Sequence, residues 1–302
     1  MKAVDLARGK WKGILLQLGI DARYLDHKHH PCPASGEGED RFRFADRNGS
    51  GNFFCGCSQG EKGGMALVMC CKGVQYAEAA RLVEGVVDGC QPVQERERAD
   101  PKVALNRVRQ KLKPAGDSVT GYLHGRGLDA PPTLREARLT YWHSGDSLGE
   151  YDVMVGRVDG PDGSPQTYHL TYLAGGKKAE LPAPRKVMTP VKTIMGGAIR
   201  LYPEAAEMGV AEGIETAIAA SMLFHMPVWA AVNAGSLAEF QPPGSCEHLT
   251  IFGDSDKSYT GQWAAYSLAR RMVRSGIECA VLLPESGDWN DALNRRQAKA
   301  AA

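Results

Sequence analysis

Two short apolar stretches of the sequence end abruptly in acidic residues. A run ending at Ala211 leads into Glu212, and the run 249–252 is followed by Asp254 and Asp256. Apolar runs of this kind, followed by a helical pattern, are typical of buried parallel strands whose carboxyl ends open into ligand-binding loops. Three carboxylates at one sheet edge repel one another unless cations neutralise them, and oxygen ligands favour Mg²⁺ or Mn²⁺. The pattern therefore indicates metal-assisted phosphoryl transfer.

An acidic residue after a strand can instead cap the helix that follows it, and the sequence leaves this alternative open for each stretch. The surrounding order of elements supports a parallel sheet. We expect a helix after Glu212, strands over 228–233, 249–252 and 278–284, and a long helix over 261–275. Asp288 and Asp291 follow the last strand and add two more acids.

With these residues in place, the segment 207–294 resembles the Toprim domain of bacterial-type primases and topoisomerases. The resemblance rests on the glutamate after the first strand, the Asp-x-Asp after the third and the later acidic pair. It implies a Rossmann-like parallel-sheet catalytic domain over 199–302. It also implies a site in which Glu212, Asp254 and Asp256 are catalytic. In such a site Asp254, Asp256 and Asp288 hold Mg²⁺ or Mn²⁺, Glu212 is either a further metal ligand or the general base, and Glu215 and Asp291 support the site.

A second constellation lies near the N-terminus, where two ligand-bearing turns are separated by about twenty residues of β-like sequence. The candidate ligands are His29, Cys32, Cys55 and Cys57, and the spacing indicates a zinc ribbon over residues 1–92. Between the turns, aromatic and basic residues alternate from Arg41 to Phe44. On a strand, Phe42 and Phe44 could stack on bases while Arg41 and Arg43 meet phosphate; alternatively, the two Phe side chains fill a small core.

The N-terminal segment resembles the zinc ribbon at the front of phage and plasmid primases. His29 and Cys32 match the first turn of that family, but Ser35 stands where its second Cys belongs, and the second turn is one residue short. The three Cys therefore need a fourth ligand, and His29 is the best placed, with His30 beside it. The alternative is a metal-free ribbon with leftover thiols.

The segment between these two regions is rich in strand-like runs and basic residues. A linker is predicted over 91–101, followed by a basic mixed α/β subdomain over 101–198. The resemblance to primases extends over it with gaps, and relatives have an Arg where this chain has Leu170. It implies that several basic residues contact nucleotide phosphates or template, namely Lys177, Lys178, Arg185, Lys186 and Lys192. The expected fold class is thus α/β, with a zinc ribbon, a basic subdomain and a Toprim domain.

Composition limits the setting in which the chain works. It has 302 residues and a net charge of +1, which suits two or three modules and does not exclude nucleic acid as a partner. No apolar run approaches the ~20 residues of a membrane span, and Lys10 and Lys12 interrupt any signal-peptide core. We therefore expect the cytoplasm of a bacterial or phage-infected cell, where grouped Cys indicate metal rather than disulfides.

The resemblance as a whole implies a DNA primase that builds short primers on single-stranded DNA from nucleoside triphosphates. No Walker A sequence is present, so we expect no helicase motor here and allow for a separate replicative helicase as partner. One alternative is a Toprim nuclease, although it would not need the ribbon or the basic subdomain. The other is a non-catalytic DNA-binding or replication-interfering protein that retains the fold, against which the complete acidic set argues.

Overall fold

The computed structural model describes residues 3–56, 63–91, 100–143 and 146–300. The chain divides into two compact units, Met1–Arg98 and Ala99–Ala302. The second unit contains both of the later predicted domains. Cys57 and most of the predicted linker lie outside the described residues.

The first unit packs four helices around one apolar core and carries a small hairpin. Its elements are α1 (Ala3–Ala7), α2 (Trp11–Gln17), β1 (Phe42–Phe44), β2 (Phe53–Cys55), α3 (Gly64–Lys72) and α4 (Tyr76–Val87), with short 3-10 turns at Ala22–Leu25 and Arg47–Gly49. In α2, the side chains of Trp11, Ile14 and Leu15 are fully buried. A Cβ on Gly64 would lie 2.2 Å from the Trp11 ring, so α3 can begin there only with glycine.

The hairpin decides between the two interpretations of its aromatic residues. β1 and β2 pair antiparallel, with Phe42 opposite Cys55 and Phe44 opposite Phe53. Phe42 and Phe44 are fully buried in the core of the unit, so they fill a small core and do not stack on bases. Arg43 lies beside the ring of Phe54, and Arg41 forms an ion pair with Glu37.

The second unit is built on one twisted sheet. Its first half comprises α5 (Pro101–Arg109), β3 (Lys113–Pro114), α6 (Asp117–His124), β4 (Arg135–His143), β5 (Asp146–Asp159), β6 (Pro165–Ala174), β7 (Lys177–Lys178), β8 (Arg185–Val187) and β9 (Ala198–Ile199). Its second half comprises β10 (Glu207–Ala211), α7 (Ile214–Phe224), β11 (Val228–Ala230), α8 (Ala234–Ala238), β12 (His248–Phe252), α9 (Thr260–Arg274), β13 (Glu278–Leu282) and α10 (Trp289–Ala300).

Strand order shows how the two halves join. Over the described residues the order is β13-β12-β10-β11-β9-β5-β4-β3, while β6 pairs with β5 and carries β7 and β8. β10 is parallel to both β11 and β12, and β12 is parallel to β13, as the sequence predicts. β9 runs antiparallel to both β11 and β5 and connects the halves. The mixed α/β fold class is therefore confirmed.

Strands β4, β5 and β6 have two differently covered faces. On the tyrosine face, Tyr141, Tyr168 and Tyr172 pack with Val155 and with Val108 of α5. On the opposite face, here called the helix face, Met154 and Val158 pack with residues of α6 and α7. This alternation decides which side chains can approach the carboxyl edge of the parallel strands. None of the described helices is long and apolar enough to cross a membrane.

Candidate active site

The parallel pairing of β10 and β12 brings the first two predicted acids to one edge. Ala211, the last residue of β10, lies opposite Phe252, the last residue of β12. Glu212 and Asp254 follow directly at the carboxyl ends of these neighbouring strands. This is the edge at which open α/β sheets bind ligands.

Asp254 has the most perturbed carboxyl group of this edge. Burial, together with the charges of Glu212, Asp288, Asp256 and Asp291, raises its pKa to about 7. Its Oδ1 atom is buried, and no group among the described residues donates a hydrogen bond to it. Such an oxygen requires a proton or a cation, so an extra positive charge at this position would be stabilising.

Glu212 experiences a mixture of opposing charges. Burial raises its pKa, Arg185 acts in the opposite direction, and Asp256 raises it again. Arg185 lies on β8 opposite Thr171 of β6, so the predicted basic residue approaches the acids from the neighbouring subdomain. The site therefore combines carboxylates from the parallel sheet with one guanidinium from the first half of the unit.

Asp256 is turned towards the N-terminus of α9. Its Oδ1 accepts hydrogen bonds from the Ser258 hydroxyl (2.5 Å) and backbone N–H (2.8 Å), and its Oδ2 accepts from the Gly261 N–H (2.9 Å). These bonds hold its pKa below the usual range. A Cβ on Gly261 would lie 2.8 Å from the Asp254 carbonyl oxygen, so only glycine lets the helix begin this close to the acidic loop.

Asp288 and Asp291 form a reciprocal cap at the start of α10. The Asp291 N–H donates to Asp288 Oδ1 at 2.9 Å, and the Asp288 N–H reaches Asp291 Oδ2 at 3.4 Å. The Ser255 N–H donates to the Gly287 carbonyl, which ties the two acidic loops together. Asp256, Asp288 and Asp291 therefore cap helices, as the capping alternative predicts. Asp254 differs, because its Oδ1 accepts no capping hydrogen bond among the described residues and the other carboxylates surround it.

Glu215 lies in a separate buried cluster one turn into α7. Its Oε1 accepts a hydrogen bond from the Tyr122 hydroxyl (2.6 Å) and pairs with Lys178 Nζ (2.7 Å). Burial would raise its pKa, but Lys178 and Tyr122 hold it at about 2. Buried His169 lies close by, and its pKa falls to about 4 because of burial. Glu215 is therefore ionised, and Lys178 is paired with it rather than open to a phosphate.

The remaining basic residues do not share one surface. Lys186 Nζ lies 3.7 Å from the centre of the Tyr141 ring and donates to the Trp142 carbonyl, which places it on the tyrosine face, opposite Arg185. Lys192 is exposed near Asp162, and Lys177 is exposed at the start of β7. Leu170 also packs on the tyrosine face. Arg185 is the residue of this set whose positive charge lowers the pKa of Glu212.

The N-terminal constellation is partly assembled within the first unit. The Cys32 and Cys55 thiols hydrogen-bond to each other; burial opposes ionisation of Cys32, but bonds from Ser35, Ala34 and Cys55 lower its pKa to about 7. His29 Nδ1 lies 3.0 Å from the Asp40 carbonyl oxygen, so Nε2 is the ring nitrogen that is left to coordinate a metal. Ser35 thus supports a thiolate instead of replacing a ligand. These donors suit Zn²⁺.

The acidic edge also has the donor chemistry of a hard divalent cation. Four carboxylates influence Asp254, whose Oδ1 is unsatisfied in the described structure. As the side chains stand, no three His, Cys, Asp or Glu residues in the described ranges are arranged around a common metal position. The Asp256 oxygens accept hydrogen bonds from the N-terminus of α9. To bind a cation, they would have to coordinate it while they keep or exchange these hydrogen bonds.

Three residues of this region were not among the predicted site residues. Tyr122 and His169 lie around Glu215, and Gly261 lies beside Asp254. No local pattern marks Tyr122, because its partner Glu215 lies 93 positions away in the sequence. Nothing local marks Gly261, because its requirement comes from the approach of a helix to the acidic loop.

Protein-family profiles match three consecutive parts of the chain. They are the zinc-binding domain of primase-helicase over residues 27–64, a Domain of unknown function (DUF7146) over 98–201, and the Toprim domain over 207–299. The fold and the profiles together define a Toprim protein with a primase-type zinc ribbon at its N-terminus. The resemblance to primases drawn from the sequence is thereby confirmed.

The chain also matches solved structures of primases at low sequence identity. A zinc-binding and RNA polymerase domain structure of the Aquifex aeolicus primase is 16% identical, with a TM-score of 0.43, over 100% of this chain and 84% of that one. The primase fragment of the bacteriophage T7 primase-helicase is 14% identical, with a TM-score of 0.41, over 90% and 97%. A Pseudomonas aeruginosa DNA primase domain is 16% identical, with a TM-score of 0.42, over 67% and 76%.

Proposed function

We propose that this chain is a DNA primase, a nucleotidyltransferase that extends an oligonucleotide on a single-stranded DNA template from nucleoside triphosphates. The observation that carries the proposal is the Asp254 carboxyl, buried and with a raised pKa among Glu212, Asp256 and Asp288, at the carboxyl edge of a Toprim sheet. The primase-helicase type of zinc-binding domain in the same chain supports primer synthesis over other Toprim chemistries.

Asp254, Asp256 and Asp288 would hold Mg²⁺ or Mn²⁺, which is the cation class that carboxylate oxygens prefer. When bound, such a cation neutralises charge on the triphosphate and on the leaving pyrophosphate. Asp254 supplies an oxygen that has no other described partner. Hydrogen bonds from the first turns of α9 and α10 hold the carboxylates of Asp256 and Asp288 in place.

Glu212 accepts the proton of the attacking 3′-hydroxyl. Its pKa is raised by burial, and a carboxylate with a raised pKa is a better base near neutral pH. Arg185 lies close enough to influence Glu212 and provides a positive charge for the nucleotide phosphates. Glu215 joins α7 to β7 through its ion pair with Lys178 and to α6 through its hydrogen bond with Tyr122. These contacts position Glu212, at the start of α7, against the subdomain that carries Arg185.

The zinc ribbon would recognise where synthesis starts. Arg43 would contact template phosphates, and Arg41 would do so by exchanging its surface ion pair with Glu37 for a phosphate. A separate replicative helicase is the partner that we propose for supplying single-stranded template.

Three outcomes of one incubation separate the competing functions. The full chain is incubated with single-stranded DNA of random sequence, labelled nucleoside triphosphates and Mn²⁺, and the products are resolved on a denaturing gel. Template-dependent oligonucleotides are the expected result. Shortened DNA would indicate a Toprim nuclease, and unchanged DNA without new oligonucleotides would indicate a non-catalytic DNA-binding protein. Either of these two results contradicts the proposal.

A further inference from the structure

The tyrosine face carries a strongly basic cavity that the proposed chemistry does not use. It has a volume of about 280 Å³ and is lined by four arginines: Arg109, Arg135, Arg157 and Arg200. An adjoining cavity of about 430 Å³ shares Arg109, Arg157 and Tyr168 with it and adds Lys102. The four arginines come from α5, β4, β5 and the residue after β9, so tertiary folding, not a local charge run, gathers them.

Three of the four guanidinium groups are held in place by the protein. Arg157 lies against Asp159 through Nε–Oδ1 (2.8 Å) and Nη2–Oδ2 (2.9 Å) contacts, and Asp159 is 1% exposed. Arg135 Nη1 donates to the carbonyls of Pro132 (2.5 Å) and Leu134 (3.0 Å). Arg200 lies 4.6 Å from the centre of the Trp229 ring. Each guanidinium has five N–H donors, so donors remain for a ligand.

The charges around the cavity are unbalanced. Arg157 pairs with Asp159, and Arg200 lies 4.0 Å from Glu204. Among the described residues no carboxylate forms an ion pair with Arg109 or Arg135. Arg109 and Arg157 both oppose the rise that burial causes in the pKa of Tyr168, which places their charges near its hydroxyl. An anion with several charges would relieve the repulsion between the guanidinium groups.

We propose that this cavity binds a polyphosphate anion, such as the phosphate chain of a free nucleotide. Guanidinium groups bind phosphate through paired N–H donors, and four of them around one cavity suit a chain of phosphates rather than a single one. The four arginines surround a volume of about 280 Å³, which suits a small ligand better than an extended nucleic-acid backbone. This site lies on the face opposite Arg185, and binding here requires no divalent cation, unlike binding at the acidic edge.

Inorganic tripolyphosphate provides a probe that separates this site from the acidic edge. It is titrated into the full chain by calorimetry in EDTA at physiological salt, because without a cation the carboxylates repel it. One saturable site is expected. Arg109→Ala, at an exposed position of α5, should weaken binding about tenfold or more through loss of charge-assisted hydrogen bonds.

Arg138→Ala is the matched control. Arg138 lies on the same strand as Arg135 but on the helix face, where it pairs with Asp152, so its removal deletes an equal charge from the opposite side of the sheet. It should change the affinity less than about twofold, and Asp254→Asn should leave it unchanged. Absence of saturable binding, equal loss in Arg109→Ala and Arg138→Ala, or displacement of the probe by an unphosphorylated oligothymidylate would each overturn the proposal.

Discussion

At the residue scale, the Asp254 carboxyl sets the pH dependence of the metal-free protein. Its pKa is about 7 in the folded protein, whereas the ordinary value, which applies to the unfolded chain, is 3.8. Between these values the folded state keeps a proton that the unfolded state has lost, so the free energy of unfolding falls as the pH rises from about 4 to about 7.

Asp254→Asn removes this titration. In EDTA, the melting temperature of the wild type should fall by roughly 5 °C more than that of the variant between pH 5 and pH 7.5. Melting curves at both pH values measure the difference. If the melting temperatures of the two proteins changed equally with pH, the pKa of Asp254 would not be raised, and the prediction would be wrong.

The cluster of Glu215, Lys178 and Tyr122 predicts an asymmetric response to substitution. Lys178→Met leaves a buried carboxylate with one hydroxyl partner and should cost about 3 kcal/mol of stability. The double variant Lys178→Met, Glu215→Met should regain most of that loss, since no charge remains buried. Denaturant unfolding above pH 5, where the pair is ionised, tests this. Equal losses in the single and double variants would show that the loss comes from packing rather than from charge.

At the element scale, β8 separates two basic residues that the sequence groups together. Arg185 approaches Glu212, whereas Lys186 lies over the Tyr141 ring on the other face. Arg185→Glu should weaken binding of single-stranded DNA or nucleotide and reduce its salt dependence. Lys186→Glu should lose about 1 kcal/mol of stability with little effect on binding. Fluorescence anisotropy over a salt series compares them, and equal weakening by both variants would contradict the assignment to two faces.

The elements also show which parts of the site could be predicted from the sequence. Apolar runs that end in acid place Glu212 and Asp254 at one edge, because parallel neighbours share their carboxyl ends, and β10 and β12 are as predicted. The bond between Tyr122 and Glu215 joins residues 93 positions apart, and it depends on a chain path that no local pattern encodes. The sequence predicts that Arg185 and Lys186 point to opposite faces, because neighbouring side chains alternate along a strand. The pairing of β8 with β6 in the structure is needed to know that Arg185 is on the face that approaches the acids.

At the scale of the whole molecule, the first unit should contain zinc. The purified full chain should carry about one zinc ion, and Cys55→Ser should lose it because one of the predicted thiolate ligands is removed. Elemental analysis of the protein measures the content, and Cys71→Ser serves as the control outside the predicted turns. Zinc retained in Cys55→Ser, or absent from a folded wild type, would contradict the site.

The central claim is that the acidic edge performs metal-dependent nucleotidyl transfer, and the most direct test is primer synthesis by Asp254→Asn. Asn at this position keeps the shape of the side chain and relieves repulsion, so the variant should fold as well as the wild type in EDTA. With Mn²⁺, nucleoside triphosphates and single-stranded DNA, we expect wild-type chain to make oligonucleotides and the variant to lose activity by at least about a hundredfold. The variant should also lose the rise in melting temperature that Mg²⁺ gives the wild type. Full primer synthesis by a folded Asp254→Asn protein would contradict the account.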